Sequence, residues 1–179
     1  MAAKKFLIVK LLIVLAAAGG LAWWIAVGPV VNIDRTYDGV LWRSHDASLC
    51  APVTVHVTGT MDRRTFSGDI VVEGADLEMI GVRAHMKNGH AFLDKVPHDY
   101  IDQPYLAAVL QTGRFSSFVL FVGEPDSVTE AGTQSSFGGA DALVISAPCT
   151  DRAGALAVFD QLRETNGNLP AYITDTEWA

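Results

Sequence analysis

Cysteine is nearly absent from this chain: Cys50 and Cys149 are the two it has. They are too few and too far apart for a zinc ribbon or a Cys-x-x-Cys redox centre. No His-Glu-x-x-His run, EF-hand spacing, Gly-x-Ser-x-Gly elbow or phosphate-cradling glycine loop occurs, so the common signatures of metalloproteases, calcium sensors, serine hydrolases and nucleotide enzymes are missing. Acidic residues are absent before Asp34, whereas Lys4, Lys5 and Lys10 all precede it. A second long apolar stretch is lacking as well. No internal repeat, heptad array or low-complexity tract marks a fibrous or repeat architecture.

The apolar stretch that is present dominates the reading. Residues 11–31 (LLIVLAAAGGLAWWIAVGPVV) form an uncharged run of 21 residues, and about 20 apolar residues in a helix cross the hydrocarbon core. The expectation is a single transmembrane signal-anchor over 11–31, with a basic cytoplasmic N-terminus at 1–10 and residues 32–179 translocated, since lysines favour the cytoplasmic side. The competing reading is a cleaved signal peptide, with residues 6–15 as its apolar region and Ala16-Ala17-Ala18 as the processing site.

Roughly 145 residues follow the run, enough for one domain with its own core. They hold 10 Lys and Arg against all 20 Asp and Glu, a balance of −10. That sign repels phosphate backbones, so no nucleic-acid partner is expected, and it argues against simple electrostatic docking on anionic lipid. In a translocated domain the two cysteines can pair. A Cys50–Cys149 disulfide is the expectation; it would close a loop of about 100 residues, worth roughly 4–5 kcal/mol in the chain-entropy model.

Period-two patterning dominates the external chain. Val53, Val55 and Val57 alternate with polar residues, and Phe66, Gly68, Ile70 and Val72 resume the alternation, so residues 53–73 read as a hairpin with His56 on the polar face. Residues 36–43 read as an earlier strand. The apolar parity slips along 77–86, as a bulge at or near Gly81 would make it. Asn88-Gly89 then reads as a two-residue turn into a strand over 91–96. Residues 103–113 predict a short helix with Pro104 in its first turn and Gly113 at its stop. Residues 115–122 (FSSFVLFV) and 142–147 (ALVISA) have little polar alternation at their centres, as strands covered on both faces do. Residues 123–141 read as a long polar loop. Residues 151–164 predict an amphipathic helix, capped by Thr150 and ended at Asn166-Gly167, and an edge strand is expected at 172–174. The fold class is therefore α+β: an N-terminal transmembrane helix, then a mainly antiparallel sheet, sandwich- or barrel-like, with a C-terminal helix.

Candidate chemistry is sparse. His85, His90 and Asp94 cluster about the Asn88-Gly89 turn, with His98 and Asp99 beyond, and could serve a metal-assisted hydrolase. Cys149, just before the last helix, could be a thiol nucleophile because a helix start lowers a thiol pKa. Solvated turn residues and a structural thiol are the plainer readings, and Trp42, Tyr37, Phe115, Phe118 and Phe121 read as core. No catalytic residue, metal ligand or cofactor site is assigned. An apolar N-terminal helix before a β-rich head with a late cysteine resembles type IV pilins and pseudopilins, but the prepilin cleavage motif and the acidic residue inside the apolar segment are missing. The segment 55–73, with Gly59, Arg63, Phe66 and Gly68, resembles uncharacterised single-span bacterial surface proteins, which implies an envelope location and no particular activity. The expected function is a membrane-anchored extracytoplasmic interaction or accessory subunit, partnered by the bilayer through 11–31 and by an envelope protein. The alternative is an extracytoplasmic enzyme using Cys149 or the His85, His90 and Asp94 region.

Overall fold

A computed structural model of the chain describes residues 2–43, 46–75, 77–95, 107–122, 124–129, 132–136 and 142–167. Helix α1 (Ala2–Val27) is 26 residues long. It stops where Gly28 turns left-handed and donates its N–H to the Trp24 carbonyl at 3.0 Å, and Pro29 cannot resume the helical pattern. Residues 28–31 of the expected span are thus not helical, and Val31 already opens a strand. Every described side chain of α1, residues 9–24, is exposed. Among the described residues no helix is long and apolar enough to cross a membrane.

Seven consecutive strands follow in a meander: β1 (Val31–Arg43), β2 (Cys50–Met61), β3 (Thr65–Glu73), β4 (Leu77–His85), β5 (His90–Lys95), β6 (Ala107–Thr112) and β7 (Ser117–Val122). A two-stranded excursion comes next, β8 (Glu124–Thr129) and β9 (Gly132–Ser136), in the segment expected to be a loop. Strand β10 (Leu143–Ala147) then inserts between β7 and β1 and closes an eight-stranded antiparallel barrel. Closure removes the free edges of the barrel sheet. The chain ends its described part in helix α2 (Arg152–Asn166), packed outside the barrel against β10, β7, β6 and β1. Its N-cap is Asp151, whose carboxylate accepts the Gly154 N–H at 2.7 Å, rather than the expected Thr150; the residue one position later has the reach to the third helical amide. Residues 172–174 lie outside the described residues.

Local chemistry sets the barrel's corners. Asn88 and Gly89 both take positive φ, 51° and 76°, the type I′ geometry that matches strand twist, and Lys87 pairs with His90 across them. The ladder between β3 and β4 shifts by one residue between Gly68 and Ile70. Gly81, at φ 65°, absorbs the extra residue, and Asp69 accepts its N–H at 2.7 Å. This is the bulge that the parity change indicates.

The predicted helix over 103–113 is instead strand β6 in its second half, with 103–106 outside the described residues. The reason is coverage. Ala107 and Val109 face the barrel interior, while Ala108 and Leu110 face α2, so both sides of the strand are buried and no alternation survives. The same holds for β7, with Phe118 and Leu120 inside and Val119 and Phe121 beneath the helix. Two cores result. One fills the barrel with Phe66, Ile70, Met79, Phe118, Leu120 and Ile145 among others. The other lies between barrel wall and helix, where Phe159 meets Trp42 and Phe121 edge-on at centroid distances of 6.4 and 6.1 Å. Trp42 Nε1 donates to Ser146 Oγ at 3.0 Å, which satisfies both buried polar groups.

The β6–β7 connection plugs one end of the barrel. Gly113, Arg114 and Phe115 stand in left-handed conformation in succession, at φ 56°, 57° and 63°, a geometry that disfavours side-chain-bearing residues. It drives Phe115, fully buried, into the interior against Phe66 at 4.8 Å and Phe118 at 5.6 Å. Gln111 Oε1 accepts the Phe115 N–H at 2.9 Å, and the Tyr37 hydroxyl donates to the Phe115 carbonyl at 2.5 Å. Phe115→Ala is expected to cost about 3–5 kcal/mol through the cavity it opens. Gln111→Ala is expected to cost about 1–3 kcal/mol by stranding a buried amide. Urea unfolding of each variant in mild detergent measures both.

Candidate functional site

The barrel interior offers no chamber among the described residues, because aromatic and branched side chains fill it. Eight strands leave room for packed side chains or for one small ligand, and here the side chains take the space. Among the described residues the buried polar side chains, Gln111 and Ser146, are engaged in structural hydrogen bonds, and the accessible polar groups lie on the outside.

Cys149 lies just after β10, where the chain turns toward α2. Its N–H donates to the Asp38 carbonyl at 3.0 Å and its thiol to the Ser146 carbonyl at 3.0 Å. It borders an open groove of about 470 Å³ lined also by Asp38, Pro52, Thr54, Glu73 and Thr150. Burial pushes its pKa up to about 11; the negative charges of Asp151 and Cys50 add to the rise, and a hydrogen bond with the Val40 backbone opposes it. A thiol so disposed is protonated at neutral pH and is a poor nucleophile. The start of α2 does not reverse this. The imidazole of His56 is engaged elsewhere: Nδ1 lies 3.0 Å from Thr36 Oγ1, and Nε2 lies 3.3 Å from Glu73 Oε1, within ion-pair reach but off hydrogen-bond alignment.

Both cysteines are free thiols in this structure. Cys50 is exposed at the start of β2, opposite Trp42 of β1, and Cys149 reaches β1 from the other side through Asp38. One strand thus runs between the two residues expected to form the disulfide. They share the neighbourhood of one outer wall closely enough for the charge of Cys50 to raise the pKa of Cys149.

His85 and His90 stand near the tip of the β4–β5 hairpin. His85 Nδ1 lies 3.4 Å from Thr65 Oγ1. His90 is held by two backbone bonds with Lys87, at 2.9 and 3.1 Å, and burial lowers its pKa, with the Lys87 charge acting the same way. The register opposes His90 with Lys87, and Asp94 with Arg83, so the cross-strand partner of neither residue is an expected ligand. Among the described residues no three His, Cys, Asp or Glu side chains gather as a metal site; His98 and Asp99 lie outside those residues.

A second cleft, of about 410 Å³, opens at the barrel end where α1 enters. Val30, Thr60, Asp62, Thr65, Arg83 and His85 line it. Asp62 accepts the N–H groups of Arg64 at 2.7 Å and Thr65 at 2.6 Å, and these bonds, with the nearby His85, hold its carboxyl below the usual carboxylate range. No protein-family model, curated protein or solved structure matches the chain. The geometry alone therefore carries the functional argument. The hairpin expected over 53–73 holds Arg63 and Arg64 in the turn between its strands, but nothing in the sequence pattern groups that turn with Arg83 and the α1 junction.

The thiol environment yields a direct expectation. In reduced, folded protein at pH 8, Cys50 should react with a small alkylating reagent at least about 100-fold faster than Cys149, whose thiolate fraction is suppressed by its raised pKa. Unfolding should equalise the two. Mass mapping of the alkylated cysteines over time checks this, and the Cys149 rate should climb about tenfold per pH unit toward pH 11 while the fold persists.

Proposed function

We propose that the chain is a membrane-anchored extracytoplasmic domain of the cell envelope that works through its outer surface, as an interaction or accessory subunit. One observation carries the reading: α1 exposes apolar side chains all round, Leu11, Leu12, Ile13, Val14, Leu15, Leu21, Trp23 and Trp24 included, and runs into β1 after only a short Gly-Pro-containing link. A helix that is apolar on every face needs either a protein core or a lipid environment, and none of its described side chains is covered by the barrel. Lys4, Lys5 and Lys10 favour a cytoplasmic N-terminus with the barrel on the opposite side.

The filled interior supports surface action over the carriage of a small ligand. The half-buried, protonated thiol and the absence of a gathered ligand set among the described residues give the enzymatic alternative no favouring observation. An oxidising compartment would permit a Cys50–Cys149 bridge, but β1 lies between the two residues, two strand spacings of about 4.8 Å apart, so closing it requires the chain around one of them to shift.

Membrane fractions washed at alkaline pH should retain the protein, and the intact mass of the extracted chain should still include residues 11–31. A soluble product starting near Gly19 would refute the anchor. Non-reduced, denatured protein from the same membranes should show no reactive thiol, whereas two reactive thiols would reject the bridge.

A further inference from the structure

We infer that the α1-proximal end of the barrel is a docking surface for the headgroups of anionic phospholipids, an inference that rests on the anchor reading above. The topology divides the strand connections between two ends. Val31 pairs with Met61, so the chain leaves α1 beside the β2–β3 turn. The pairing of His90 with Leu110, and of Thr65 with His85, brings the β4–β5 and β6–β7 turns to the same end. These three turns carry Arg63, Arg64, Lys87 and Arg114, with Arg83 close behind in the cleft. Their one carboxylate, Asp62, is directed at the amides of its own turn.

At the opposite end the described connecting residues include Asp46 and, at the start of β8, Glu124. Arg43 closes β1, Lys95 closes β5 and Arg152 lies beside Asp46 at that end, so the basic turns are a local feature of the α1-proximal end within an acidic domain. A net negative domain can present a positive end, and it is the end that matters at a surface, because charges farther than a Debye length of about 8–10 Å are screened.

Position makes the lipid surface the fitting partner. Only residues 28–30 separate α1 from β1. The Arg63 side chain lies along Gly28, where a Cβ would come 2.8 Å from Arg63 Cγ. Val30, exposed, lines the same cleft as Arg83 and His85. With α1 in a bilayer, these groups stand at headgroup depth, where guanidinium and ammonium groups meet lipid phosphates. The hydroxyls of Thr60 and Thr65, also lining the cleft, add donors suited to phosphate oxygens.

The test uses the full-length chain reconstituted into vesicles of phosphatidylcholine alone, or with about one-third phosphatidylglycerol, a content that gives a negative surface potential. Flotation reports the anchor, and amide hydrogen exchange by peptide mass reports the docking. Flotation is expected with both vesicles. Residues 61–65, 87–90 and 112–116 are expected to exchange several-fold more slowly on the anionic vesicles, an effect abolished at about 0.5 M salt and in the R63E/R64E/K87E variant. Unchanged exchange in β7 and α2 of that variant verifies its fold, and R63K/R64K should keep the protection. Flotation with both vesicles but equal exchange of the turns overturns the docking and leaves the anchor standing. Flotation with neither overturns the anchor, and the docking with it.

Discussion

The barrel depends on being filled from its end. Phe115 occupies the interior from a connection whose three successive left-handed residues put it there, and the aromatic cluster with Phe66 and Phe118 closes behind it. Left-handed conformation costs a residue with a side chain roughly 1–2 kcal/mol, so the turn is unfavourable by itself. Burying a phenylalanine against two others returns more than that. The two hydrogen bonds from Gln111 and Tyr37 satisfy the backbone groups that the plug would otherwise strand. Tyr37 belongs to the first strand and Gln111 to the sixth, so the plug also ties distant parts of the meander.

A filled barrel has a second core because its wall is thin. Strands β6, β7 and β10 bury alternate residues inside, and the others would be a broad apolar patch if left in water. Helix α2 covers that patch with Ala155, Phe159 and Leu162. Its N-terminus is pinned by Arg152, whose guanidinium donates to the Arg43 carbonyl at 3.0 Å and stacks over Trp42 at 5.4 Å. Its C-terminus is pinned where Asn166 Nδ2 meets the Gln111 carbonyl at 3.4 Å. Cys149 sits at the hinge between wall and helix, and its raised pKa follows from this structural duty: burial that helps packing disfavours the thiolate.

Much of this was legible where one face of a strand meets water. The alternation over Val53, Val55 and Val57, the slip near Gly81 and the Asn88-Gly89 turn each identified a feature that the structure contains, because each reflects local chemistry. The reading failed where burial became two-sided. Residues 107–112 lost their alternation beneath α2, and Pro104 with Gly113 then suggested a helix that the barrel does not make. Gly113 instead starts the left-handed turn, a use that a helix stop and a strained plug signal with the same residue. Closure by β10 was not legible either, since pairing between residues 40 and 146 leaves no local trace. The candidate sites fared likewise: proximity of His85 and His90 to one turn was readable, but the register that opposes neither to an expected ligand was not.

Net charge shows the same limit. It is a sum over the chain, whereas a surface responds to the charges within a screening length of it. A meander barrel places alternate connections at opposite ends, so residues far apart in sequence come to share one surface. Here the turns that carry Arg63 and Arg64, Lys87 and Arg114 all fall at the end from which the short link to α1 leaves. Read as composition, these four cations disappear into an acidic total. Read with the strand order, they share one end, and it is their spacing there, not the sum over the chain, that a neighbouring charge would meet.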